Sequence, residues 1–200
     1  MKKHVMFLLI CFAVVLAVAS IGLAQKKITG PWLWMIAPAG PVGGAAVTDV
    51  DTLKKTSGGS VTQESVAKNG VKAGSACGKL NWTWGEISAT GSDNVNDVVT
   101  KIGFGKGDVD HHDSWAYLEL DAAAKKGVTV KVGSDDSIKV WLNGTVVHKN
   151  AIDRGASDFQ DTFKVDLIDG INRLLVKVGE KTGGWSMFVG VDANYNVVAV

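Results

Sequence analysis

Cysteine is nearly absent from this chain: Cys11 and Cys77 are the only two in 200 residues. Cys11 falls inside an N-terminal apolar run, so no internal disulfide framework staples the fold, and the core has to hold itself by burial. Charge of one sign is missing as well. The 21 basic residues face 20 acidic ones, and nowhere do Lys and Arg cluster, which excludes the electrostatic footprint of a nucleic-acid binder. Catalytic signatures are lacking too: there is no Gly-x-Ser-x-Gly elbow, no His-Glu-x-x-His, and no phosphate-cradling loop between a strand and a helix. Gly103-Phe104-Gly105-Lys106-Gly107 is glycine-rich but wrongly spaced. Nothing singles out two of the acids as a glycosidase pair, so a glycan-active enzyme is the weakest reading. No internal repeat recurs at a fixed period.

What the chain does carry begins at its N-terminus. Lys2 and Lys3 precede an apolar run of about fifteen residues from Val5 to Ala19, the layout of a secretory signal peptide and too short for a membrane span of roughly twenty residues. Small residues at signal-peptidase spacing occur at Ala17-Val18-Ala19 and at Gly22-Leu23-Ala24, and cleavage is expected after Ala24. Cys11 lacks the neighbours of a lipidated cysteine. Removing Lys2 and Lys3 takes the 21 basic residues to 19 against 20 acidic ones, so the exported chain is close to neutral. No later run approaches the ~18 apolar residues of a membrane helix. Residues 1–24 are thus a leader and residues 25–200 one domain, with an irregular part over 25–110 and a strand-rich part over 111–192.

In the strand-rich part apolar residues recur at every second position, the period of a half-buried strand. Six segments share it: Ala116, Leu118 and Leu120; Val128, Val130 and Val132; Ile138, Val140 and Leu142; Phe163, Val165 and Leu167; Leu174, Val176 and Val178; and Trp185, Met187, Val189 and Val191. Asn143-Gly144 tolerates the positive φ of a type I′ turn, so Trp141-Leu142 should pair with Thr145-Val146. Lys126-Gly127, Asp169-Gly170 and Gly183-Gly184 punctuate the rest. Short strands with short loops predict a mainly β fold, an antiparallel, jelly-roll-like β-sandwich. The longer polar loop from Lys149 to Gln160 should pass from one sheet to the other or lie at the open end.

The irregular part predicts an initial strand over Gly30 to Ala37, a loop over Pro38 to Ala46 and another strand over Leu80 to Ile87. One or two short helices fit here: a helical turn at Asp49 to Lys55, a helix opened by a Ser60/Gln63 capping box and running to Asn69, and another at Asn94 to Ile102.

Between the inward positions, Trp115, Tyr117, Trp141, Leu175 and Phe188 stand where solvated polar residues are routine. Two readings account for them. The rings form a sugar platform, with Trp115, Tyr117 and Trp141 stacking on a pyranose and Asn143 bonding its hydroxyls; or the N-terminal segment, with Trp32, Trp34, Trp82 and Trp84, packs over that face. Asp135 and Asp136 are adjacent acids at a strand start, either oxygen ligands for calcium or turn formers bonding their own backbone. His111-His112-Asp113 makes a poor metal site, because chain neighbours rarely point at one ion. Asn81-Trp82-Thr83 and Asn143-Gly144-Thr145 match the glycosylation pattern incidentally.

Residues 133 to 191 carry a longer pattern: GSDDSIKVWLNGTVVHKN, then RG, then DTFKVDLIDGINRLLVKV and GGWSMFVGV. It resembles bacterial secreted β-sandwich modules related to the protective-antigen-type and galactose-binding-like carbohydrate-binding domains. In calcium-dependent lectins of the first group an Asp-Asp pair holds the ion, and the resemblance implies that role for Asp135 and Asp136, with calcium the one cofactor it implies. The second ligand loop of that family is not recognisable here. The functional expectation is a secreted, periplasmic or surface-held, non-catalytic module that binds a glycan or cell-surface polymer. The alternative is a structural protein that self-associates, its terminal strand Val197 to Val200 adding to a neighbour's sheet edge.

Overall fold

The computed structural model describes residues 26–200, so the leader and its cleavage point lie outside the described residues. The elements run β1 (Trp32–Pro38), α1 (Thr52–Thr56), α2 (Gln63–Asn69), β2 (Ala76–Cys77), β3 (Leu80–Asn81), β4 (Thr83–Gly85), α3 (Asn94–Lys101), β5 (His112–Ala122), β6 (Lys125–Asp135), β7 (Ser137–Leu142), β8 (Thr145–Asn150), β9 (Asp161–Leu167), β10 (Gly170–Gly179), β11 (Ser186–Val191) and β12 (Asn196–Val198). All strand pairs are antiparallel. A seven-stranded sheet in the order β4-β1-β5-β10-β7-β8, with β12 also on β5, faces a three-stranded sheet β11-β6-β9. The fold is the antiparallel β-sandwich that the period-two segments predict.

Each of the six alternating segments forms a strand, and its inward set meets the opposite sheet. Ala116, Leu118, Val140, Val176 and Val178 from the large sheet pack with Val130, Val132, Met187 and Val189 from the small one. The Asn143-Gly144 turn closes the β7–β8 hairpin with Trp141 opposite Val146 and Leu142 opposite Thr145. Both turn residues take positive φ, as a type I′ turn requires. The loop after β8 leads from the large sheet to β9 in the small one, the crossing expected of it.

The central strands of the large sheet, β5, β7 and β10, are buried on both faces. On its outer side Leu33, Met35, Trp115, Tyr117, Trp141 and Leu175 pack against Leu53, Val66, Ala67, Cys77 and Trp82 from the N-terminal segment. Helices α1 and α2 form this roof. Thr62 caps α2 by accepting from Ser65 N, and Ser65 Oγ in turn accepts from Thr62 N. The capping box is thus Thr62/Ser65 rather than Ser60/Gln63, because Ser60 Oγ is donated back to Ser57 O. Among the described residues three short α-helices form, at the three places where the sequence marks a helical turn or helix.

A further expectation is corrected. The stretch Leu80 to Ile87 breaks at Trp82, which turns its ring into the roof, so β3 pairs with β2 and β4 with β1. The C-terminal strand is already engaged within its own chain: Asn196, Val197 and Val198 of β12 lie opposite Asp121, Leu120 and Glu119 of β5. Cys77 is a free, buried thiol.

Candidate metal centre

The inward parity that builds the core continues past the strand ends into acids. In β10 the set Leu174, Val176, Val178 leads on to Glu180, and in β7 the set Leu142, Val140, Ile138 leads back to Asp136. The starts of β5 and β7 and the end of β10 meet here, with Gly179 paired both to Asp113 and to Ser137. One ligand oxygen from each of Asp135, Asp136 and Glu180 lies within 4.8 Å of the others. The same distance relates Asp108, Asp110 and Glu180. Glu180 therefore stands between two acid groups.

Backbone amides hold the Asp pair in place. Arg154 N donates to Asp136 Oδ1 at 3.0 Å and Lys181 N to Asp136 Oδ2 at 2.9 Å, while Ala156 N donates to Asp135 Oδ2 at 3.3 Å. The Asp135–Asp136 peptide is cis. The alternative of a turn in which the aspartates bond their own backbone is not what forms; their amide donors come from two distant loops. Arg154 and Lys181 lend their amides directly, while their charged ends are paired elsewhere and act on the aspartates only through space. The Arg154 guanidinium forks onto Asp161 at 3.0 and 2.7 Å, and Lys181 Nζ reaches Asp153 at 2.7 Å.

The acids thus repel one another in a partly dry site. Burial, and then the neighbouring Asp136, pushes the Asp135 carboxyl up to about 6. Burial followed by Asp136, Asp135, Asp108 and Asp110 pushes Glu180 up to about 9. Asp136 is raised as well, by burial first. Convergent carboxylates at this spacing could hold a hard divalent cation through oxygen ligands.

Glycines allow the close approach. A Cβ on Gly43 would sit 1.9 Å from Glu180 O, and one on Gly184 would sit 3.0 Å from Asp135 Oδ2. The pairs Gly43-Gly44 and Gly183-Gly184 therefore mark where two loops press onto the acids.

Of the residues singled out in sequence, Asp135 and Asp136 come together. The aromatic platform does not open to solvent: Trp115, Tyr117 and Trp141 are 0%, 0% and 2% exposed, because the roof of α1, α2 and Trp82 lies over them. Of the two readings of that face, covering by the N-terminal segment is the one observed. Asn143 lies at the far end of β7 from Asp136, roughly 20 Å along the strand, and its amide is spent on Arg173 N and Asn172 Oδ1. His112 and Asp113 diverge: His112 Nδ1 contacts Asp110 O, whereas Asp113 is buried against Lys177. Glu180, Asp108 and Asp110 were not anticipated. The parity of β10 carried a usable signal for Glu180; Asp108 and Asp110 sit in a loop with no periodicity.

No protein-family model and no curated protein matches the chain. Two solved structures are similar to it. One is a PA14 sugar-binding domain from an RTX adhesin, 14% identical over 56% of this chain and 70% of that one, with a TM-score of 0.38. The other is the PA14 domain of the antifreeze protein MpAFP, 10% identical over 88% of this chain and 90% of that one, with a TM-score of 0.49.

Proposed function

We propose that this chain is an exported, non-catalytic carbohydrate-binding module that holds its ligand through a calcium ion on Asp135 and Asp136. The observation that carries this reading is the convergence of Asp135, Asp136 and Glu180 at one end of the sandwich, with the two aspartates fixed by backbone amides. A calcium ion there keeps coordination places for water, and vicinal sugar hydroxyls are the ligand chemistry that replaces such waters. The protein acts as a rigid holder, since the β-sandwich, unlike a mobile loop, fixes the ion's position before ligand arrives.

A glycan array probed with the purified protein at saturating calcium tests the reading. Calcium is expected to raise the melting temperature, and array signals are expected to vanish in chelator and in Asp135→Asn. A silent array together with an unchanged melting temperature overturns it.

A second reading, a structural protein of the cell surface or matrix that self-associates, is supported by one edge. Strand β8 pairs only with β7 among the described residues and exposes Val146 at 46%, leaving backbone groups open to another strand. Sedimentation decides it: a clean monomer at high concentration counts against assembly.

A further inference from the structure

The acids at this end of the sandwich outnumber what one ion accounts for. Asp135, Asp136, Glu180, Asp108 and Asp110 belong to two groups that share only Glu180. Glu180 is 0% exposed, and neither Oε1 nor Oε2 has a hydrogen-bond partner. A buried carboxyl with both oxygens unsatisfied is costly as an anion unless a cation meets it, and otherwise has to hold a proton. Its neighbours behave differently. Asp108 Oδ1 accepts from Asn96 Nδ2 and Asp110 Oδ1 from Gly183 N, both at 3.3 Å, which orients each aspartate and leaves its second oxygen free. Asp136, by contrast, spends both oxygens on amides.

We propose that Asp108, Asp110 and Glu180 form a second calcium site beside the one on Asp135 and Asp136, with Glu180 giving one oxygen to each ion. This rests on the first site only for its neighbour. The charge supports a pair: five carboxylates with one divalent ion keep a formal −3 in a half-buried space, whereas two ions bring it to −1. Oxygens within 4.8 Å of one another match the span across a calcium ion bonded at about 2.4 Å. The two ions differ in exposure. Asp108 and Asp110 are on the surface and Asp136 is buried, so the second ion is the wetter one and is expected to bind more weakly and exchange first. Its ligand loop, residues 102–111, follows α3 and leads straight into β5, which ties filling of the second site to the order of that loop.

Calcium stoichiometry of the chelator-stripped, purified protein tests this by titration calorimetry and equilibrium dialysis. Two ions per chain are expected, falling to one in Asp108→Asn/Asp110→Asn. Both those residues are exposed, so the variant should melt in chelator like the parent. Glu180→Gln is expected to weaken both ions by at least ~10-fold, since each loses a charged ligand. Two ions retained in the double variant overturn the proposal. A single ion in the parent, kept by that variant and lost in Asp135→Asn, also overturns it while leaving the proposed function standing. No binding at all sinks both.

Discussion

Lys177 and Asp113 form an ion pair of 2.9 Å with both side chains sealed from solvent, on neighbouring strands β10 and β5 under the helical roof. Lys177 Nζ also donates to Val47 O at 2.6 Å and to Val50 O at 2.8 Å, and Asp113 Oδ2 accepts from Thr52 Oγ1 at 2.8 Å. Trp115 Nε1 in turn donates to that same Thr52 hydroxyl. The pair therefore bolts the start of the N-terminal segment onto the sheet. Burial pushes Asp113 up and Lys177 down, and each partner opposes the shift of the other. Removing one member strands a buried charge, so Lys177→Met is expected to cost about 3–5 kcal/mol, far more than breaking an exposed pair such as Lys126–Asp166. Urea unfolding measures the loss, and hydrogen exchange should show residues 47–53 opening first.

The covered aromatic face makes a separate expectation. Trp115 and Trp141 sit 5.7 Å apart with Lys177 and Lys139 over their rings, in a cluster closed by Leu53 and Trp82. Trp115→Ala removes a fully buried ring and is expected to cost about 3–5 kcal/mol. The milder Trp115→Phe should fold and leave any glycan signal unchanged. Loss of binding in a folded Trp115→Phe would restore the platform reading.

How much could be read in advance follows from which interactions are local. Alternation in β5, β6, β7, β9, β10 and β11 is written in each strand, and Asn143-Gly144 sets its own hairpin. The role of Trp115 and Trp141 was not local. Their outward parity shows that something must cover them, but whether the cover is a ligand or residues 47–82 depends on tertiary packing. The site divides the same way: Asp135-Asp136 is visible as a dipeptide, whereas Asp108, Asp110 and Glu180 reach it from loops some 30 to 70 residues apart along the chain.

Gly184 offers a test of the site that touches no acid. A methyl there would meet Asp135 Oδ2 at 3.0 Å and Ser92 O at 3.1 Å, so the carboxylate must shift by a few tenths of an ångström. Gly184→Ala is expected to weaken calcium several-fold while changing stability in chelator by less than about 1 kcal/mol. Calorimetry against a melting curve separates the two. Unaltered calcium affinity would mean that Asp135 has slack the geometry does not grant it.

The pH dependence of the metal-free protein follows from the same acids. Glu180 titrates near 9 in the fold, against an ordinary 4.5, and Asp135 near 6, against 3.8. In both cases the folded chain keeps a proton that the unfolded chain has released, so these groups favour folding below their ordinary values and lose that advantage as pH rises through the folded ones. The melting temperature in chelator is therefore expected to fall from pH 5 to pH 9, with the Asp135 part complete above about 6 and the Glu180 part continuing to about 9. Calcium should flatten the fall, because it replaces the protons on these carboxyls; its binding then releases protons and tightens as pH rises. Melting curves at matched ionic strength, with chelator and with calcium, measure both slopes. Equal stability of the chelated protein at pH 5 and pH 9 would show that water or another cation already reaches Glu180, and that the acids do not face one another in the dry arrangement from which both calcium sites are argued.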